Sequence, residues 1–289
     1  MIRLRTALVA LLAPALGAAG WLASTSLEAW LDGDDDRARL PSALREVSGL
    51  ALDGDGRLWA HDDERGIIYR IEDSGDEIVD RRVLGPEPVL GDFEGLAWDG
   101  RRFHLTSSTG TLVSFEPGTD ETVERYSVRR TTAADICEVE GLVFDSEADR
   151  LLMVCKTVTH RPWRRHLVIL EVPIPGDTDD VDMGSLPAEP RALVTPDALD
   201  DADIGRISPS GLTASPDGDG WWVVAARERR IVHVSRTGQI VDEARLASRH
   251  RQAEGVVVEA PAVLTIVDEG GDGRARITRY THTPPDEGP

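Results

Sequence analysis

Three observations predict an all-β fold, a five-bladed β-propeller of four-stranded antiparallel blades. The words EVSGLALD, DFEGLAWD, EVEGLVFD, SPSGLTAS and QAEGVVVE recur along the chain. Aligned on Gly49, Gly95, Gly141, Gly211 and Gly255, they step by 46, 46, 70 and 44 residues, the period of strand-bearing propeller repeats. Between consecutive copies lie short β-rich runs divided by Gly, Asp and Pro turns, with no clear helical run.

In the first unit SGLALD, a DGDG turn, RLWAHDD, GIIYRIE and EIVDRRVL supply four strands. GLAWD, RFHLTSS, TLVSFEP and TVERYSV repeat the pattern in the second, and GLTAS, GWWVVAA, RIVHVSR and QIVDEARL in the fourth. The 70-residue step is read as an insertion in the third unit, where PGDTDDVDMGSLPAEPR is too rich in Pro, Gly and Asp for a strand and reads as an exposed loop. The last unit has only GVVVEA, AVLTIVDE and ARITRYT. The N-terminal RLPSALRE (39–46) is the expected fourth strand, closing the ring and removing an edge. A sixth blade would need about 40 more residues.

Outside residues 38–283, the chain is divided into a leader (1–23), an acidic linker (24–37) and a tail (284–289). Arg3 and Arg5 precede the uncharged run Ala7 to Ala23, which reads equally as a signal peptide or as a retained membrane anchor. Either places the propeller outside the cytoplasm, on the cell membrane or in the periplasm. Lys and Arg number 32 against 52 Asp and Glu, a net charge of −20, which excludes nucleic acid as a partner. Cys137 and Cys155 are the only cysteines. In a regular hairpin turning at 146–149, Cys155 falls opposite Glu140, which gives the pair no direct contact.

First strands of propeller blades line the central channel, so Ser48, Glu94, Glu140, Ser210 and Glu254 are expected at one level around it. The second strands end near the same rim with Asp62, Thr106, Lys156, Arg227 and Asp268, followed by Asp63, Glu64 and Glu269. Converging carboxylates repel one another unless a cation compensates, and an all-oxygen set suits calcium better than zinc. His61 is adjacent but alone. Two other readings stand beside the cation site: the glutamates anchor strands by accepting backbone N–H groups of the next blade, or they serve catalysis. The DGDG at Asp53 and PDGDG at Pro216 are read as hairpin turns, since the further ligands of a calcium loop do not follow. HRPWRRH (160–166) is a basic island that could reach over the channel mouth, and Trp59, Trp98, Trp221 and Trp222 are read as packing between blades.

The ordered series EVSGLA, DDE at 62–64, DFEGLAW, VEGLVFD with a strand ending in Lys156, SPSGLTASPDG, and AEGVVV followed by IVDE resembles the SdiA-regulated family of exported bacterial β-propellers, distantly akin to NHL-repeat propellers. The resemblance covers nearly everything after residue 38. It implies a five-bladed propeller with a bound calcium ion and a membrane-proximal N-terminus. By position it carries the cation-related residues onto Glu94, Glu140 and Glu254, with Asp62, Asp63, Asp268 and Glu269 as second candidates. The chain departs from the family at Ser107 and Ser108 in blade 2 and at Ala226 and Arg227 in blade 4. Its expected role is that of a monomeric binding module for a protein, envelope or small-molecule partner at the channel mouth. The alternative is a calcium-dependent hydrolase, a phytase-like phosphoesterase or lactonase-like esterase.

Overall fold

The computed structural model describes residues 26–176, 184–259 and 262–282. The leader at 1–23 and the tail at 284–289 lie outside the described residues, as does part of the third-unit insertion. A short helix α1 (Leu27–Leu31) and strand β1 (Asp34–Arg39) precede the first repeat. Blade 1 is β2 (Val47–Leu52), β3 (Leu58–Asp62), β4 (Ile67–Ile71) and β5 (Ile78–Leu84). Blade 2 follows with β6 (Phe93–Trp98), β7 (Phe103–Ser107) and β8 (Leu112–Phe115). The two-residue β9 (Thr122–Val123) then pairs parallel with β5, before β10 (Ser127–Arg129) completes blade 2. Blade 3 is β11 (Cys137–Asp145), β12 (Arg150–Val158), β13 (Leu167–Pro173) and β14 (Glu189–Val194). After a short α2 (Pro196–Asp201), blade 4 is β15 (Gly211–Ala214), β16 (Gly220–Ala225), β17 (Arg230–Ser235) and β18 (Ile240–Arg245). Blade 5 is β19 (Ala253–Glu259), β20 (Val263–Asp268) and β21 (Arg276–Thr281), and β1 is its fourth strand.

The five-bladed all-β expectation therefore holds, including closure by the N-terminus, but the closing segment differs from the one expected. It is DDDRAR at 34–39, whose first four residues lie in the stretch read as linker, and not RLPSALRE, with which it shares only Arg39. An outermost strand has most of its side chains in solvent, so charge suits it and protects the edge. Leu40 and Leu44 of RLPSALRE are fully buried beneath a 3-10 turn at Ser42–Leu44, capping the seam between blades 5 and 1.

The core is five apolar clusters, one in each seam between adjacent blades. Trp59 and Trp98 pack between blades 1 and 2, Trp221 between 3 and 4, and Trp222 between 4 and 5, as the sequence predicts. The inner strands β2, β6, β11, β15 and β19 contact one another in a closed ring. The recurrent glycine makes this possible: a Cβ on Gly95 would stand 2.5 Å from the Leu142 nitrogen, and one on Gly211 2.9 Å from the Glu254 carbonyl oxygen.

Cys137 and Cys155 form a disulfide, Cα atoms 5.6 Å apart, although a regular hairpin gives the pair no direct contact. Two register shifts account for it. Glu140 and Gly141 on β11 together oppose Val154, and Lys156 is extra on β12, so Cys155 faces Val139, two residues from Cys137 on the same side of the strand. Closing an 18-residue separation, the bond is expected to contribute about 3 kcal/mol. Urea unfolding of Cys137→Ala/Cys155→Ala against wild type measures it, and equal midpoints would contradict the assignment.

Candidate cation site at the channel mouth

The bulge recurs in four of the five copies of the motif. In β2, β6 and β19 the ladder skips Ser48, Glu94 and Glu254, just as it skips Glu140 in β11. A residue left out of the ladder is free to be re-aimed, and here each turns toward the axis. The glycines, with Leu50, Leu96, Leu142, Leu212 and Val256, close the channel behind them to about 10 Å³, room for a single water. The channel is therefore a closed cup rather than a pore.

The cup encloses about 190 Å³ and is lined by Glu46, Val47, Ser48, Asp63, Glu94, Glu140, Lys156, Gln252, Glu254 and Glu269. Five of the seven expected site residues therefore line one cavity: Glu94, Glu140, Glu254, Asp63 and Glu269. Asp62 and Asp268 do not. Asp62 caps a turn, accepting from the Glu64 and Arg65 backbone nitrogens at 3.1 and 3.0 Å and pairing with the Arg65 guanidinium at 2.9 Å. Asp268 accepts from the Gln252 backbone nitrogen at 3.3 Å and lies 2.7 Å from Nδ1 of the fully buried His250. Arg227 is absent from the lining, and so is the basic island, whose Trp163 packs on the seam between blades 2 and 3. His61 is fully buried and faces Gly49, and burial pushes its pKa down to about 4, so it stands neutral behind the cup.

Sequence reasoning missed Glu46 and Gln252. Both stand two residues before a motif position that faces the channel, in the turn or bend just ahead of β2 and β19.

No backbone N–H donates to Glu94, Glu140 or Glu254 among the described residues, which counts against the strand-anchoring reading. Glu94 Oε2 accepts from the Ser48 hydroxyl at 2.8 Å. Glu140 is paired with the Lys156 ammonium, the extra residue of one strand meeting the extra residue of the other. Burial, then the charge of Glu140, pushes the Glu94 carboxyl up to about 9 and that of Glu254 up to about 8. Burial, then Glu46, raises Asp63 to about 6 and lifts Glu269 as well. Burial also raises Glu140, against the pull of Lys156. Oδ1 of Asp63 is buried with no hydrogen-bond partner. Six carboxyl groups thus face one ammonium in a cavity of oxygen donors, with an orphaned acceptor among them, and this chemistry fits a hydrated hard cation.

The glutamate oxygens do not close into a tight cage. Among the described residues, the one trio of Asp, Glu, His or Cys with ligand atoms all within 4.8 Å of one another is Asp217, Asp219 and His233, on blade 4.

No family model and no curated protein matches this chain. Solved structures do. Glutaminyl cyclase from Myxococcus xanthus superposes with a TM-score of 0.57 at 14% identity, over 86% of this chain and 95% of that one. An oxidoreductase (glucose dehydrogenase) from Thermus thermophilus does so with a TM-score of 0.51 at 11% identity, over 85% and 99%. At these identities the likeness establishes the β-propeller fold and leaves function to the site.

Proposed function

We propose that the chain is an exported, non-enzymatic binding propeller of the SdiA-regulated type that takes calcium in its acidic cup and presents a ligand surface around it. The observation that carries this reading is the set of carboxyls in one cavity, Glu140 buried and Glu94, Glu254 and Asp63 half-buried, with Lys156 as the sole cation in the lining. Oxygen ligands from separate strands, completed by water, are what calcium accepts. A cation there would offset the burial and the mutual repulsion that now raise these pKa values. The ordered motifs of the family support the same reading, and the disulfide accords with an oxidising compartment outside the cytoplasm.

Thermal melts in EDTA and in rising calcium test it, because a ligand bound only by the native state stabilises by about 2.7 kcal/mol at a hundredfold excess over Kd. Wild type is expected to respond, and Glu94→Gln and Glu254→Gln to respond far less. A flat wild-type melt, or equal shifts in all three proteins, overturns the proposal.

One observation favours a second reading, a calcium-dependent hydrolase. Asp63, at about 6 with an orphaned oxygen on the cup, has the properties of a general base poised near neutral pH. Calcium-dependent turnover of a phosphomonoester or lactone that disappears in Asp63→Asn would replace the binding reading with this one.

A further inference from the structure

The turn that joins the first two strands of each blade begins with an anchoring side chain: Asp53, Asp99, Asp145, Ser215 or Glu259. In four blades it is a carboxylate with protein partners. Asp53 takes the Trp59 indole N–H at 2.9 Å, Asp145 the Arg236 guanidinium at 2.7 and 3.1 Å, and Glu259 pairs with Arg279 at 3.3 Å. Asp99 lies 2.9 Å from Nε2 of His104, whose Nδ1 contacts the Ser114 hydroxyl at 2.7 Å, so both ring nitrogens are engaged.

Blade 4 breaks the pattern. Ser215 holds the turn, and two carboxylates, Asp217 and Asp219, project from PDGDG beside His233 on β17. His233 is 7% exposed. Its Nε2 lies 2.8 Å from Asp219 Oδ1, yet makes no hydrogen bond in acceptable geometry. Nε2 is thus a buried ligand atom without a hydrogen bond, aimed at the carboxylates, and a metal ion would satisfy all of these groups together. Ligand atoms of the three residues already lie within 4.8 Å of one another. Closing them to the roughly 3.4 Å spacing of a tetrahedral zinc shell asks only for small side-chain rotations on a turn.

We propose that Asp217, Asp219 and His233 form a second metal site, selective for zinc or a similar first-row divalent cation. One imidazole and two carboxylates suit such an ion, whereas calcium prefers an all-oxygen shell. The site lies at the opposite end of β15 from the cup, roughly 15 Å away at strand rise, and does not depend on the cup's occupancy. Arg236 is tied to Asp145 and Glu147 and donates to the Gly218 carbonyl, and among the described residues the carboxylates have only neutral hydrogen-bond donors: the Ser215 hydroxyl lies 3.3 Å from Asp219 Oδ1, and the Asp219 backbone nitrogen donates to Asp217 Oδ1 at 3.2 Å.

Calorimetric titration of the chelator-treated chain with zinc tests this. The expected result is one zinc per chain with a Kd of about 10 μM or tighter, weakened at least tenfold by Asp219→Asn and by His233→Gln, and unchanged by Glu94→Gln. Asp219 lies on an exposed turn, so Asp219→Asn keeps the test sound if His233→Gln fails to fold. Absence of zinc binding, or wild-type affinity in Asp219→Asn, overturns the proposal.

Discussion

In EDTA the chain is expected to lose stability steadily as the pH rises from about 5 to about 9. Glu94 and Glu254 have ordinary pKa values of 4.5 in the unfolded chain and are raised to about 9 and about 8 in the fold. Between those values the native state holds protons that the unfolded state has released, so unfolding becomes easier with each unit of pH, by up to about 1.4 kcal/mol per retained proton. Below about pH 4 both states are protonated and the effect vanishes. Glu94→Gln removes the Glu94 share of this titration, so it is expected to melt several degrees above wild type at pH 8 in EDTA, to match wild type at pH 4, and to lose most of its response to calcium. A variant that stabilises the free protein while abolishing ligand stabilisation separates a charge site from a structural anchor. Melts across pH 4 to 9 check this, and a wild-type curve flat over that range would contradict it.

Gly95→Ala is expected to be among the most damaging substitutions in the chain, costing more than about 3 kcal/mol. Its Cβ would press to 2.5 Å from the Leu142 nitrogen and 2.8 Å from the Gly141 carbonyl carbon, both backbone atoms of the neighbouring inner strand. Relief would require moving blade 3 away from blade 2. Gly54→Ala is the control: its Cβ meets only the Trp98 indole nitrogen at 3.6 Å, an ordinary contact, so its effect is expected within about 1 kcal/mol. Urea unfolding of the two variants checks the difference, and similar midpoints would mean that the glycine ring does not govern the closing of the channel.

The repeat was legible because each copy is a turn-bounded set of short strands, and its period alone separates blade from blade. The glycine in every copy was legible for the same reason, although only the structure shows its missing Cβ occupied by the next blade's backbone. The bulges were not legible. A one-residue slip leaves no mark in composition, yet it aims Glu94, Glu140 and Glu254 into the cup, joins Glu140 to Lys156, and brings Cys155 within reach of Cys137. Asp62 and Asp268 were read as site residues because they end their strands at the rim. Where each side chain turns there depends on nearby donors, Arg65 for one and His250 for the other. Residues 34–37 of DDDRAR read as linker because their charge hides a strand whose position at the outer edge makes charge acceptable. PDGDG was read as a turn, which it is; that His233 lies against it depends on a hairpin pairing fourteen residues downstream of Asp219.

The central claim is that protons now held by the cup give way to a cation. Calorimetric calcium titration at pH 7 in two buffers of different ionisation enthalpy measures this directly. About one to two protons are expected to leave with each calcium bound, fewer as the pH approaches 9, and Glu254→Gln is expected to release fewer than wild type. Calcium binding with no proton release at pH 7, or no binding at all, would contradict the account.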